Sequence, residues 1–286
     1  MAAGSRLCAV TGSGGYVGGR IAERLQRAGW RVRELAHRPP SGSAARAYSL
    51  AAGPGEGALA GVELLVHCAY DFRPWRWPEI ERINVAGSER LLDAAAAAGV
   101  ERIVHVSTMS AFAGCVSLYG RAKLEIERRA REHGAINLRP GLVFGERPGG
   151  TFGALDRAVR RARLVPLVGA GRFRQHLVHE EDLAAVVERL ASFDLPPGEP
   201  IVAASDEPRT LRQILVTLAA RRGRRVLFVP LPAHVVLVAL RAAERARRPL
   251  GFRSDSLVGL MHPDPSPDFA PARRLGLVFR RFEVAP

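Results

Sequence analysis

Tyr119 and Lys123 are the residues whose types and spacing most directly suggest chemistry in this 286-residue chain. They open and close the run Tyr-Gly-Arg-Ala-Lys, and Lys123 is the single lysine in a set of 42 basic residues otherwise made of arginine. Residues four apart share a helix face, so an ammonium would stand beside a phenol. At about 4 Å and an effective dielectric near 20 that attraction is about 4 kcal/mol. As an upper bound it would lower a tyrosine by roughly three pKa units from its usual value. A phenol tuned this way exchanges a proton with a substrate alcohol or ketone near neutral pH. Arginine, a wide planar fork, does not replace a compact ammonium in a narrow slot. The plain alternative is a surface Tyr-Lys pair.

A second feature points to what such a phenol would work beside. Residues 11–18 read TGSGGYVG, between an apolar run that ends at Val10 and a segment with Ile21 and Leu25 on one helical face. A glycine-rich turn from strand into helix lets backbone amides and the helix N-terminus approach a pyrophosphate. Gly12, Gly15 and Gly18 suit the tight turn, the close approach and the helix packing, with Tyr16 and Val17 in the same loop. At the end of the next strand of such a unit, a carboxylate holds a ribose 2′-hydroxyl, whereas an arginine accommodates a 2′-phosphate. The run WRVRELA ends at Ala36 and is followed by His37 and Arg38, while Glu34 falls two residues too early. This predicts NADP in preference to NAD, unless Arg38 is merely one surface arginine among many.

The elements that must position these residues are legible as alternating apolar runs and amphipathic segments. Strands are expected at 7–10, 30–36, 62–69, 102–107 and 136–139, and helices after the glycine loop and at 84–98 (stopping at Gly99), 119–132, 152–163 and 180–191. Alternation of this kind predicts an α/β protein with a doubly wound parallel sheet covered on both faces. Residues 201–205 read as a strand returning to the sheet. Hydrophobic content of 47% is ordinary for a globular protein. No apolar run approaches the length of a membrane span. Leu7–Val10 is too short for a signal-peptide core, so a cytoplasmic location is expected. Cys8, Cys68 and Cys115 form no CxxC pair and read as reduced packing residues. The net charge of +14 comes from arginines spread along the chain, without a nucleic-acid-binding motif; no nucleic-acid partner is expected.

These motifs together resemble the extended short-chain dehydrogenase/reductase superfamily, in its NAD(P)-dependent epimerase/dehydratase family. Besides TGxxGxxG and YxxxK, the resemblance rests on VHCA at 66–69, INVAG at 83–87, RIVHVST at 102–108, LRPGLVFG at 138–145 and LVHEEDLA at 177–184. It implies a Rossmann-fold domain over 1–144, with a returning segment near 177–205. It also implies a smaller substrate domain formed by 145–176 and 206–286. By this resemblance Tyr119 is the general acid/base and Lys123 holds the nicotinamide ribose. Thr108 binds the substrate oxygen, with Ser107 and Ser110 as rival hydroxyls because STMSAFAG carries an apparent one-residue insertion. Cys68 and Ala69 border the cofactor, Pro140, Leu142 and Val143 line its nicotinamide side, and Asn84 supports the loop geometry. A homodimer is common among such proteins.

Departures from the family narrow the chemistry. Met109 and Ser110 stand where dehydratases carry Asp-Glu after the catalytic threonine, which disfavours water elimination. The arginine that holds a diphosphate in sugar-nucleotide members is replaced by Gln175, with Arg172 and Arg174 as neighbours able to serve. His176 and His179 lack a carboxylate or cysteine set, so no metal is expected. In the loop 71–78, DFRPWRWP, Trp75 and Trp77 either stack on a base, a sugar face or an apolar substrate, or pack within the protein. The segment 234–248 is apolar and then basic. It reads as a core-facing helix with a basic solvent face, or else as a contact for a membrane surface or a partner, without stable insertion. The implied activity is hydride transfer at a carbinol or keto carbon of a sugar or sugar nucleotide, as an epimerase or a ketoreductase. Two other readings stay open: reduction of a non-sugar ketone, and non-catalytic cofactor sensing.

Overall fold

The computed structural model describes residues 6–37, 45–192, 198–248 and 251–283. In β1 (Leu7–Thr11) every residue is buried, and alternation assigns its side chains to two different cores. Cys8 and Val10 join one hydrophobic cluster, whereas Leu7 and Ala9 join another. The same split recurs downstream in the sheet, with Val66 and Val104 on the first side and Leu65 and Ile103 on the second. A strand buried on both faces reads as a continuous apolar run, which is why these strands stood out in the sequence.

The chain continues with α1 (Tyr16–Arg27) and β2 (Arg31–Ala36), then two short strands that the apolar pattern did not reveal, β3 (Arg46–Ser49) and β4 (Gly53–Pro54), and the expected β5 (Leu64–His67). A helix begins at Trp77, earlier than the sequence suggested, as α2 (Trp77–Ile80). It passes through a π-helical turn at Glu81–Val85 into α3 (Ala86–Ala97). Next come β6 (Arg102–Val106), α4 (Leu118–Glu132), β7 (Ile136–Pro140), β8 (Leu142–Phe144), α5 (Gly150–Arg161), β9 (Leu164–Val168), β10 (Arg174–Gln175), β11 (Leu177–His179) and α6 (Glu180–Ser192). The chain continues with β12 (Ile201–Ala203), β13 (Arg209–Thr210), α7 (Leu211–Arg221), β14 (Leu227–Leu231), α8 (Ala233–Arg245), α9 (Ser254–Met261) and α10 (Ala270–Arg274).

Among the described residues, eight strands form the main sheet in the order β12-β7-β6-β5-β1-β2-β3-β4. It is parallel except at its edge, where β4 runs antiparallel to β3. The strand order reverses direction at β1, so the carboxyl ends of β1 and β5 border a crevice. Smaller two-stranded pairings, β8–β11, β9–β14 and β10–β13, lie outside the main sheet. The helix α8 differs from the expectation of a basic solvent face. Val236, Leu237 and Leu240 face a small core with Val168 and Leu257, while the opposite side exposes valines as well as arginines.

Candidate active site

The glycine loop occupies the crevice. Gly12 has a positive φ, and a Cβ there would lie 3.1 Å from the Ala69 backbone. A Cβ on Gly18 would lie 2.2 Å from the Gly12 carbonyl oxygen. Only glycine permits this packing of loop, helix and the β5 end. Thr11 Oγ1 closes the crevice by accepting from the amides of Cys68 (3.0 Å) and Ala69 (3.1 Å). Among the described residues no side chain caps α1 at Gly15, and the buried Ser13 Oγ finds no partner. An uncapped helix start with an unpartnered hydroxyl fits a pyrophosphate. His37 is exposed just beyond β2; Arg38 lies outside the described residues.

A feature that the motif reading missed runs across the carboxyl edge of the sheet. Register places Thr11 beside His67, His67 beside His105, and His105 beside Asn137. All four are buried. Because Thr11 Oγ1 already accepts from two amides, its proton goes to His67 Nδ1 (2.8 Å), and His67 Nε2 then donates to Ser88 Oγ (2.8 Å). His105 has the opposite tautomer: Nδ1 donates to Asn137 Oδ1 (2.8 Å) and Nε2 accepts from Lys123 Nζ (3.4 Å). Burial keeps both imidazoles neutral, lowering His67 to about 3 and His105 well below its ordinary value. The signal was available in VELLVHCA and RIVHVS. Each has a histidine at the same strand position in an otherwise apolar run.

Lys123 ends in this row. It is 2% exposed and donates to the Val106 carbonyl at 2.7 Å. Desolvation lowers it to about 8, against weaker upward pulls from Cys68 and Glu127. Tyr119 does not follow the expectation of a lowered phenol. Burial pushes it up to about 12, opposed only by a hydrogen bond with the Thr108 side chain. Its ring packs against Tyr70 (4.9 Å, edge-on) and Phe72 (5.6 Å), and the ammonium spends its bonds on Val106 and His105. Of the three rival hydroxyls, Thr108 is the one bonded to Tyr119. Ser107 donates to Glu127 (2.5 Å), which also takes a bidentate pair from Arg139 (2.8 and 2.6 Å). Ser110 lines the cleft described below.

The catalytic-motif helix α4 is capped by a distant residue. Ser117 Oγ accepts from the Gly120 amide, and the Asp255 carboxylate accepts from the amides of Leu118 (2.7 Å) and Tyr119 (2.9 Å). Asn84 clamps the loop after β5, accepting from the Asp71 amide (2.7 Å) and donating to its carbonyl (3.0 Å).

Tyr119 opens into a cleft of about 760 Å³ that also takes in Tyr16, Val17, Thr108, Pro140, Leu142 and Val143. Trp75 lines it and is 45% exposed. Three sequence-based candidates lie elsewhere. Trp77 packs against Ile80 and Ile126, with the Arg121 guanidinium over its ring at 3.6 Å. Arg174 and Arg172 are exposed. Strand alternation in β10 turns Arg174 outward and Gln175 inward, where Gln175 Nε2 donates to the Leu260 carbonyl (2.8 Å). His176 bonds the Ser205 carbonyl and His179 packs on Phe144. Among the described residues no cluster of three His, Cys, Asp or Glu side chains could hold a metal.

A doubly wound sheet with a glycine loop at its reversal point and a Tyr-Lys helix beside it defines a dinucleotide-dependent enzyme scaffold. The chain belongs to the NAD dependent epimerase/dehydratase family, whose model matches residues 8–204. Over 282 residues it is 28% identical to a ceramide reductase of Caulobacter vibrioides (strain NA1000 / CB15N), spanning 93% of this chain and 87% of that protein. Among solved structures, gox2253 aligns with a TM-score of 0.71 and 22% identity over 96% of this chain and 94% of the other. MoeE5, solved with UDP-glucuronic acid and NAD, aligns with a TM-score of 0.69 and 24% identity over 80% and 86%. Among the described residues no helix is long and apolar enough to cross a membrane.

Proposed function

We propose that this protein is an NAD(P)-dependent oxidoreductase that reduces a ketone, or oxidises the matching carbinol, on a substrate with an apolar body. The observation that carries this reading is the wall of the cleft. Phe72, Trp75, Val116 and Leu118 line it together with Tyr119, while Gln175 occupies the expected diphosphate-arginine slot and is tied to Leu260. A 28% identical relative called a ceramide reductase supports an amphiphilic substrate.

A bound nicotinamide supplies or accepts the hydride at its C4. Gly12, Gly15 and Gly18, with Tyr16 and Val17, would hold the pyrophosphate. Cys68, Ala69, Pro140 and Val143 would border the nicotinamide, and Lys123 its ribose. Tyr119 is neutral at neutral pH and donates its proton to the ketone oxygen, which Thr108 helps to hold. The Lys123 ammonium compensates the phenolate left behind. NADP is the favoured form, on the strength of His37 and Arg38 in the sequence.

A second reading, a sugar-nucleotide epimerase with retained NAD, is favoured by the fold likeness to MoeE5 with its sugar nucleotide. NADPH oxidation with long-chain ketones, and none with keto-sugar nucleotides, is the expected result; interconversion of UDP-sugars without added cofactor would overturn it. Tyr119→Phe is expected to lower turnover by about a hundredfold or more, the scale of a lost general acid, while still binding cofactor by fluorescence titration.

A further inference from the structure

The outer side of α8 is built for contact with something other than water. Val235 (49% exposed) and Val238 (65%) share a face with Ala242 at helical spacing, and Arg241 and Arg245 continue that face toward the C-terminus. Pro232 joins α8 to β14, whose outward residues are apolar and exposed as well. Leu227 (70%) sits directly across from Leu164 (62%), and Val229 (40%) across from Pro166. Among the described residues, five of the ten large exposed hydrophobic side chains come from these three elements.

Charge identifies the occupant. Residues 221–248 hold eight arginines and one acid, Glu244. Glu244 is spent on Ser254, accepting from its amide (2.7 Å) and hydroxyl (2.6 Å). Among the described residues no carboxylate pairs with Arg224, Arg225, Arg241, Arg245, Arg247 or Arg248. A second copy presenting the same basic face would be repelled. A nucleic acid would gain nothing from the aliphatic residues between the arginines. Aliphatic side chains ringed by arginines match an anionic bilayer, where the apolar face enters the acyl boundary and the arginines meet headgroups. Thirteen residues of α8 are too few to cross and enough to lie on the surface.

We propose that α8 and the outer face of β9–β14 dock this protein peripherally on anionic lipid bilayers. Arg241, Glu244 and Arg245 also line the substrate cleft, so docking sets the cleft mouth beside the lipid surface. The inference rests on exposure and charge rather than on the substrate reading. Vesicle binding and turnover can fail separately.

The test is co-sedimentation of the full chain with vesicles of phosphatidylglycerol and phosphatidylcholine, compared with phosphatidylcholine alone. Binding to the anionic vesicles, weakened by salt, is expected. Val235→Asp combined with Val238→Asp should reduce partitioning about tenfold or more, the effect of two charges placed in the acyl boundary. Its melting temperature and its oxidation of NADPH with a water-soluble ketone should not change. Arg247→Gln with Arg248→Gln should reduce partitioning by about fivefold per arginine. Absence of binding to anionic vesicles, or binding untouched by the valine substitutions, would overturn the proposal. So would a concentration-dependent dimer that the same substitutions abolish, or tighter binding to duplex DNA that survives them.

Discussion

Burial keeps the Tyr119 phenol protonated, as the proposed reduction needs, and works against the Lys123 ammonium. A phenol near 12 carries its proton throughout the neutral range, while an ammonium near 8 loses its own at mildly alkaline pH. The proposed reduction needs both protonated, so kcat/KM is expected to stay level up to about pH 8 and to fall about tenfold per unit above it. A profile of NADPH oxidation against pH checks this, and a rise through that region would contradict it. His105→Leu removes an acceptor from a charged donor, which favours the neutral amine. The alkaline limb should move down by about one unit, on the scale of a lost hydrogen bond to a charge. A purely structural role for His105 would lower stability and leave the limb in place. The Tyr-Lys pair was legible from spacing alone, but the sign of the phenol's shift was not. That sign depends on which atoms an ammonium reaches, and the strand register that brings Val106 and His105 beneath it cannot be read from one helix.

At the scale of elements, α4 is held between a local and a distant cap. Ser117 was within reach of sequence reasoning. Asp255, 136 residues beyond Tyr119, was not, because it arrives through the packing of α9 against α4 and not through any periodic pattern. Asp255→Ala is expected to cost about 1–2 kcal/mol of stability, the range for a lost helix cap. Thermal melts would register that loss. Turnover should fall as well, because the Tyr119 backbone loses an anchor, while cofactor affinity, which the proposed function assigns to the glycine loop, should hold. Unchanged turnover would separate the cap from catalysis. The 71–76 loop is tied to the same region, since Arg253 donates to the carbonyls of Phe72 and Pro74.

For the whole molecule, the parallel sheet was readable because strands buried on two faces are apolar runs, and the helices between them carry one apolar stripe. The substrate side was not readable. Its strands are two to five residues long, and whether an arginine faces in or out there depends on a single residue of register, as Arg174 and Gln175 show. The nucleotide's mode of use belongs to this scale too, since it depends on how freely the cleft exchanges its contents. Denaturing the purified protein and weighing what it releases should yield an empty site or traces of NADP. Stoichiometric NAD would instead indicate a cofactor that never leaves, and with it an epimerase.

The Asp255 cap also has a consequence in time. A chain emerging from the ribosome completes its glycine loop and the first five parallel strands long before residue 255 is made. Domains fold as units, N-terminal parts first, at roughly 5–20 residues per second. The growing chain therefore passes through an interval of some seconds in which the proposed nucleotide loop is complete while the helix that carries Tyr119 has only its local cap, Ser117. On the proposed function, a ribosome-stalled chain ending before α9 is expected to bind nucleotide before it can turn over substrate.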